Sequence, residues 1–173
     1  MGATMKIILI GFMGSGKTTV ANILAKKLNL EVIEMDHLIL KKSGRKNIQE
    51  IFVKDGEEHF RDLETRIAKE ILELDDVVIS TGGGIVMKQK NLKFLKKGKI
   101  IFLKTSFEVL EKRLMGDSSR PLFRYKIKAK KLFDLRQKMY EKWADLTIQT
   151  DNKTVKEIIK TVLLKTVFKK SVL

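Results

Sequence analysis

Short apolar runs alternate along this chain with longer stretches whose apolar positions recur every three to four residues. The first run, Ile7, Ile8, Leu9 and Ile10, stops at Gly11, and runs at 31–35, 77–80, 99–103 and 146–149 read as four more strands. Val20, Ile23, Leu24 and Leu28 mark a helix over 17–28, while Phe60, Leu63, Ile67, Ile71 and Leu74 form one stripe of a helix over 57–74. Shorter helices are expected at 38–42, 47–54 and 88–95, and a longer one at 127–142. Thr105 and Glu108 fit a capping box opening a helix to about Met115, and Thr154 and Glu157 cap a terminal helix. Residues 116–125, with the chain's one proline, Pro121, break the pattern.

Strands alternating with helices predict an α/β fold, a three-layer sandwich with a five-stranded parallel sheet at its centre. Such sheets collect ligands at the carboxyl ends of their strands. The loop 11–18, Asp36, Gly82 to Gly84 and the turn after Leu103 all fall at those ends. One site is therefore expected. At 173 residues, without repeats or low-complexity linkers, residues 1–173 read as one domain.

Composition changes this picture little. The chain is 43% apolar and 33% charged, with no apolar run near the roughly 20 residues a bilayer requires. Absence of Cys excludes disulfides and Cys-based zinc sites. Residues 1–4 read as an addition ahead of a start at Met5, no signal peptide is evident, and a cytoplasmic location is expected. Thirty-six Lys+Arg against 21 Asp+Glu give +15, a charge that raises the possibility of a nucleic-acid partner. The lysines are nevertheless scattered over every helix without interleaved aromatic platforms, which favours a solvated basic surface that attracts small anions.

The candidate chemistry begins at 11–18, Gly-Phe-Met-Gly-Ser-Gly-Lys-Thr, a Gly-x-x-x-x-Gly-Lys-Thr phosphate loop between a strand and a helix. Glycines let backbone N–H groups turn inward around phosphate oxygens, and the helix opening at Lys17 aims its positive end at the same anion. Lys17 can reach the outer phosphates, and the Thr18 hydroxyl can ligate Mg2+.

Four further features bear on the acceptor. Glu34 and Asp36, two residues apart, are expected on one strand face, where a carboxylate can hold Mg2+ through water or take a hydroxyl's proton. Arg61 and Glu64, three apart on a helix, can pair and pre-orient the arginine for a carboxylate, although the same spacing suits an ordinary surface pair. Gly82, Gly83 and Gly84 after a buried strand imply close backbone approach and offer adjacent N–H donors. Arg113 ends a helix, and Arg120 lies in a polar segment suited to a lid, from which it could reach the transferring phosphoryl group.

In order, the pieces GFMGSGKT, EMDHLI, FRDLE, STGGG, an arginine seven residues before RPL, and RQKMY span most of the chain. Together they resemble the shikimate kinases, small members of the nucleoside-monophosphate-kinase-like phosphate-loop fold. That resemblance implies sheet order 2-3-1-4-5 and transfer of the ATP γ-phosphate to the 3-hydroxyl of shikimate, with Mg2+. It implies Asp36, Lys17 and Arg120 as catalytic, with Asp36 also holding shikimate's hydroxyls. Arg61 and Arg136 are expected to grip the substrate carboxylate, with Gly82, Gly83 and Gly84 lining the same pocket. ATP contacts are expected from Gly14, Ser15, Gly16, Lys17, Thr18, Thr19, Arg113 and Arg120, the metal at Thr18, and Glu34 and Ser80 near its water. An acceptor segment at about 36–64 and a lid at about 115–126 complete the domain. The expected partners are ATP and shikimate, with no specific nucleic acid or membrane, and the chain is expected to be a monomer. Glu34 stands where the family usually has Asp, and Met139 where Leu is common. A different acceptor on the same fold, such as gluconate or a nucleoside monophosphate, is the neighbouring alternative.

Overall fold

A computed structural model describing residues 4–115 and 125–166 places five parallel strands in the order β2-β3-β1-β4-β5. The strands are β1 (Lys6–Ile10), β2 (Glu31–Glu34), β3 (Val77–Ser80), β4 (Lys99–Lys104) and β5 (Leu146–Gln149). Side chains alternate across each strand, so β1 supplies both cores. Ile7 and Leu9 pack with Val20, Leu24, Ile158 and Val162 of the helices α1 (Lys17–Leu28) and α8 (Val155–Thr166). On the opposite face, Ile8 and Ile10 pack with Phe60, Ile67, Leu110, Phe133 and Tyr140. Those residues belong to α4 (Glu57–Ile71), α6 (Phe107–Leu114) and α7 (Lys126–Trp143). Burial on both faces explains why β1, β3 and the middle of β4 are near-continuous apolar runs, whereas the edge strands β2 and β5 carry exposed polar positions.

The expected α/β sandwich and sheet order are those observed. Four local expectations change. The second strand ends at Glu34, and Asp36 lies in the first turn of α2 (Met35–Ser43), so the two carboxylates do not share a strand face. Ser106, not Thr105, caps α6 by accepting from the Val109 N–H at 3.4 Å, because the Thr105 hydroxyl is occupied by Thr150 at 2.6 Å. Over 88–95 there is a 3-10 turn (Gln89–Asn91) and a four-residue helix, α5 (Leu92–Leu95), in place of a continuous helix. The stripe expected to reach Leu74 ends with α4 at Ile71. The terminal capping box is present: Thr154 and Glu157 exchange bonds of 2.7 and 3.3 Å.

A second helical unit rises from the edge of the sheet. It comprises α2, α3 (Ile48–Lys54) and α4, with Phe52 and Phe60 stacked at 4.7 Å. Arg45 grips both carboxylate oxygens of Asp55, at 2.9 and 2.6 Å, and so ties the connection before α3 to its end. Bidentate geometry makes such a pair directional as well as attractive. This unit carries Asp36, Arg61 and Glu64.

Candidate active site

The loop after β1 wraps the start of α1. Gly16, at the N-cap, has φ 90°, a left-handed conformation that costs glycine little and β-branched or bulky residues much more. Lys17 is buried, and its ammonium donates to the Gly11 and Phe12 carbonyls at 2.9 and 3.0 Å. These bonds fold the loop around its own lysine. Ser15 is buried beneath it, and Arg113 of α6 donates to the Gly14 carbonyl at 3.1 Å, bracing the loop from the far side.

A cavity of about 330 Å³ opens above the loop. Gly14, Gly16, Lys17, Thr18 and Thr19 form one wall; Glu34, Asp36, Ser80, Thr81 and Gly83 stand opposite. Glu34 and Asp36 therefore meet at one cavity although they lie on different elements. Thr18 lies 3.3 Å from the Ser80 hydroxyl and donates to Glu34 at 3.5 Å, so three oxygens cluster beside the phosphate loop. That hard-oxygen set suits Mg2+, which keeps waters and borrows phosphate oxygens rather than demanding an all-protein cage. Among the described residues no group of three or more His, Cys, Asp or Glu could hold a metal ion.

Behind the cavity wall the three glycines bring the remaining candidates together. A methyl group on Gly82 would lie 2.8 Å from Asp36 Oδ1 and 3.0 Å from Glu64 Oε1. One on Gly83 would sit 3.3 Å from the Met13 nitrogen, and one on Gly84 would collide with the Arg61 guanidinium. The bare backbone is thus what lets Asp36, the phosphate loop and Arg61 converge. Arg61 is not a surface pair: it is 7% exposed, donates to Glu64 at 2.9 Å, and packs its charge 5.0 Å from the Phe60 ring. Burial pushes the Glu64 carboxyl above its ordinary range, and Arg61 draws it partly back. The Glu64 Oε1 oxygen has no hydrogen-bond partner among the described residues.

Arg136 is 5% exposed on α7, with its guanidinium carbon 5.7 Å from the Phe12 ring of the phosphate loop. Burial lowers its pKa, and the electrostatic contribution of Tyr140 opposes that shift. Among the described residues no carboxylate lies within ion-pair distance of it, and its Nε makes no hydrogen bond. Two residues escaped the sequence reading. Phe12 sits in a variable position of the loop, and Tyr140, one turn after Arg136, is buried with its hydroxyl donating to the Gly83 carbonyl. The four-residue spacing from Arg136 was the available signal for Tyr140. Arg120 and most of the expected lid lie outside the described residues.

Comparison with known proteins follows the same lines. A model of the shikimate kinase family matches residues 13–166. The shikimate kinase of a Sulfurihydrogenibium species is 41% identical over 161 residues, covering 92% of this chain and 96% of that protein. Among solved structures, shikimate kinase from Acinetobacter baumannii in complex with shikimate superposes with a TM-score of 0.89 at 33% identity, covering 97% and 95% of the two chains. Shikimate kinase from Aquifex aeolicus gives 0.85 at 38% identity, covering 97% of this chain and 99% of that one.

Proposed function

Because the chain belongs to the shikimate kinase family, we propose that Asp36, Arg61 and Arg136 hold shikimate while the phosphate loop presents ATP to it. The reaction transfers the γ-phosphoryl group of ATP to the 3-hydroxyl of shikimate, giving shikimate 3-phosphate and ADP. The observation that carries the residue assignment is Arg136, a buried cation without a carboxylate partner among the described residues. Leaving a charge buried and unpaired costs several kcal/mol, on the order of 3–5 where pairs have been broken experimentally. An acceptor carboxylate would offset that cost. Arg61, already aimed by Glu64, would complete the clamp from α4.

Phosphoryl transfer asks for positioning and charge stabilisation more than covalent chemistry. The acceptor 3-oxygen forms a bond to the γ-phosphorus as the bond from that phosphorus to the β,γ-bridging oxygen breaks. The hydroxyl proton passes to the Asp36 carboxylate, and the electron pair of the broken bond leaves with ADP. Lys17 and the loop N–H groups at the start of α1 stabilise the charge on the phosphates. Thr18 would hold Mg2+ directly, with Glu34 and Ser80 reaching its waters. When bound, the ion neutralises developing charge on the phosphate oxygens. Residues 36–64 act as the acceptor-binding segment, and Arg113 supports the nucleotide side through Gly14. Among the described residues no helix is long and apolar enough to cross a membrane, and both substrates are small molecules.

The test is ADP release with ATP and Mg2+ in the presence of shikimate, gluconate or a nucleoside monophosphate, against a no-acceptor control. Shikimate alone should support turnover. Turnover with another acceptor and none with shikimate would overturn the assignment.

A further inference from the structure

The three glycines after β3 present three carbonyls, and the middle one is held differently from its neighbours. Gly82 accepts from the Ile85 N–H at 3.2 Å and Gly84 from the Met87 N–H at 2.9 Å, both within the local turns. The Gly83 carbonyl instead accepts from the Tyr140 hydroxyl, 57 residues further along the chain. Gly83 is also the glycine pressed against the phosphate loop: a methyl group there would sit 3.5 Å from the Gly11 oxygen and 3.7 Å from the Phe12 carbonyl carbon. Its neighbours face the acceptor side chains, Gly82 toward Asp36 and Gly84 toward Arg61. Tyr140 is wholly buried, stacked on Phe102 of β4 at 5.1 Å, and fixed on the same helix as Arg136. Burial also holds its phenol above the ordinary tyrosine range, so the hydroxyl remains a donor at working pH.

We propose that Tyr140 is a positioning residue for phosphoryl transfer, its hydroxyl setting the glycine triplet between the phosphate loop and the acceptor side chains. The proposal rests on the acceptor assignment above. Without the hydroxyl, the part-buried Gly83 carbonyl loses its protein partner, and the triplet shifts relative to Asp36 and Arg61. Acceptor binding and its coupling to nucleotide then weaken together, whereas the phosphate loop keeps its own bonds through Lys17.

Tyr140→Phe in the intact enzyme removes the hydroxyl and keeps the ring. Loss of this part-buried hydrogen bond predicts a rise of about ten-fold in the shikimate KM and a fall in kcat, with the ATP KM changed less than about two-fold. Shikimate affinity measured by titration with and without ADP should lose its dependence on nucleotide. Phe102→Leu serves as the packing control: it loosens the ring's support but leaves the hydroxyl, and should lower the melting temperature with the shikimate KM near wild type. Wild-type kinetics in Tyr140→Phe, or the same kinetic change in Phe102→Leu, would overturn the proposal. Absence of shikimate turnover in the wild-type protein would instead remove the acceptor assignment, and the proposal with it.

Discussion

A methyl group on Gly84 would lie 2.5 Å from both Cζ and Nη2 of Arg61. Gly84 has an ordinary φ of −96°, so an alanine there meets no backbone strain; the obstacle is the guanidinium itself. Arg61 is in turn anchored by Glu64 at 2.9 Å and cannot retreat without breaking a buried ion pair. Gly84→Ala should therefore displace the carboxylate clamp. The expected result is a shikimate KM raised about ten-fold or more, in line with losing a charge-assisted hydrogen bond, and an ATP KM near wild type. Steady-state kinetics with each substrate varied check this. An unchanged shikimate KM would place the clamp elsewhere.

Asp36 lines the cavity from the first turn of α2, opposite Lys17 and Thr18. Asparagine keeps its size but cannot take up the acceptor's proton. Removing a general base typically costs about 10²–10⁴ in rate, so kcat of Asp36→Asn should fall by that order. ATP affinity, read by titration of a fluorescent nucleotide, should stay within about two-fold because Asp36 stands on the acceptor side of the cavity, across from the phosphate loop. A variant that turned over normally would limit Asp36 to a structural part.

How much of this was legible in the chain depends on whether local spacing or tertiary packing placed each residue. The phosphate loop was readable because all of its parts are contiguous, and the central strands β1, β3 and β4 because burial on both faces leaves near-continuous apolar runs. Glu34 and Asp36 were read by the period of a strand, yet a helix begins at Met35 and brings Asp36 to the cavity by another route. Local propensity could not resolve a boundary that tertiary packing decides. Thr105 and Ser106 show the same limit, since either hydroxyl could cap α6 and only the cross-strand bond to Thr150 selects between them. The burial of the Arg61–Glu64 pair was hidden for a similar reason: i,i+3 spacing is identical on a wet and a dry helix face. Tyr140 closes the RQKMY piece, but its bond to the Gly83 carbonyl exists only in three dimensions.

The oxygens of Thr18, Glu34 and Ser80 converge within 3.3–3.5 Å of the Thr18 hydroxyl, on the edge of the phosphate loop. If Thr18 is the direct Mg2+ ligand, chelation should abolish turnover and excess Mg2+ should restore it. Thr18→Ala should raise the Mg2+ concentration needed for half-maximal rate by about ten-fold or more, while Ser80→Ala, acting only through water, should shift it less. Rate against free Mg2+ at saturating ATP and shikimate distinguishes the two. Equal shifts in both variants would contradict a direct bond from Thr18.

Glu64 connects the site to stability through its pKa. Burial raises it above the ordinary value of 4.5, and the nearby Asp36 charge adds to that rise, against the pull of Arg61. A carboxyl whose folded pKa is raised binds its proton more tightly in the native state than in the unfolded chain. Its contribution is therefore favourable at acid pH and is lost as pH climbs from about 4.5 through the raised native value. Glu64→Gln cannot titrate. The difference in melting temperature, wild type minus Glu64→Gln, should thus be most positive near pH 4.5 and decline toward neutrality, while shikimate KM rises in the variant as Arg61 loses its anchor. Thermal unfolding of both proteins across that range measures the slope directly, and a wild-type advantage that grows with pH would mean that Arg61 outweighs burial at this carboxylate.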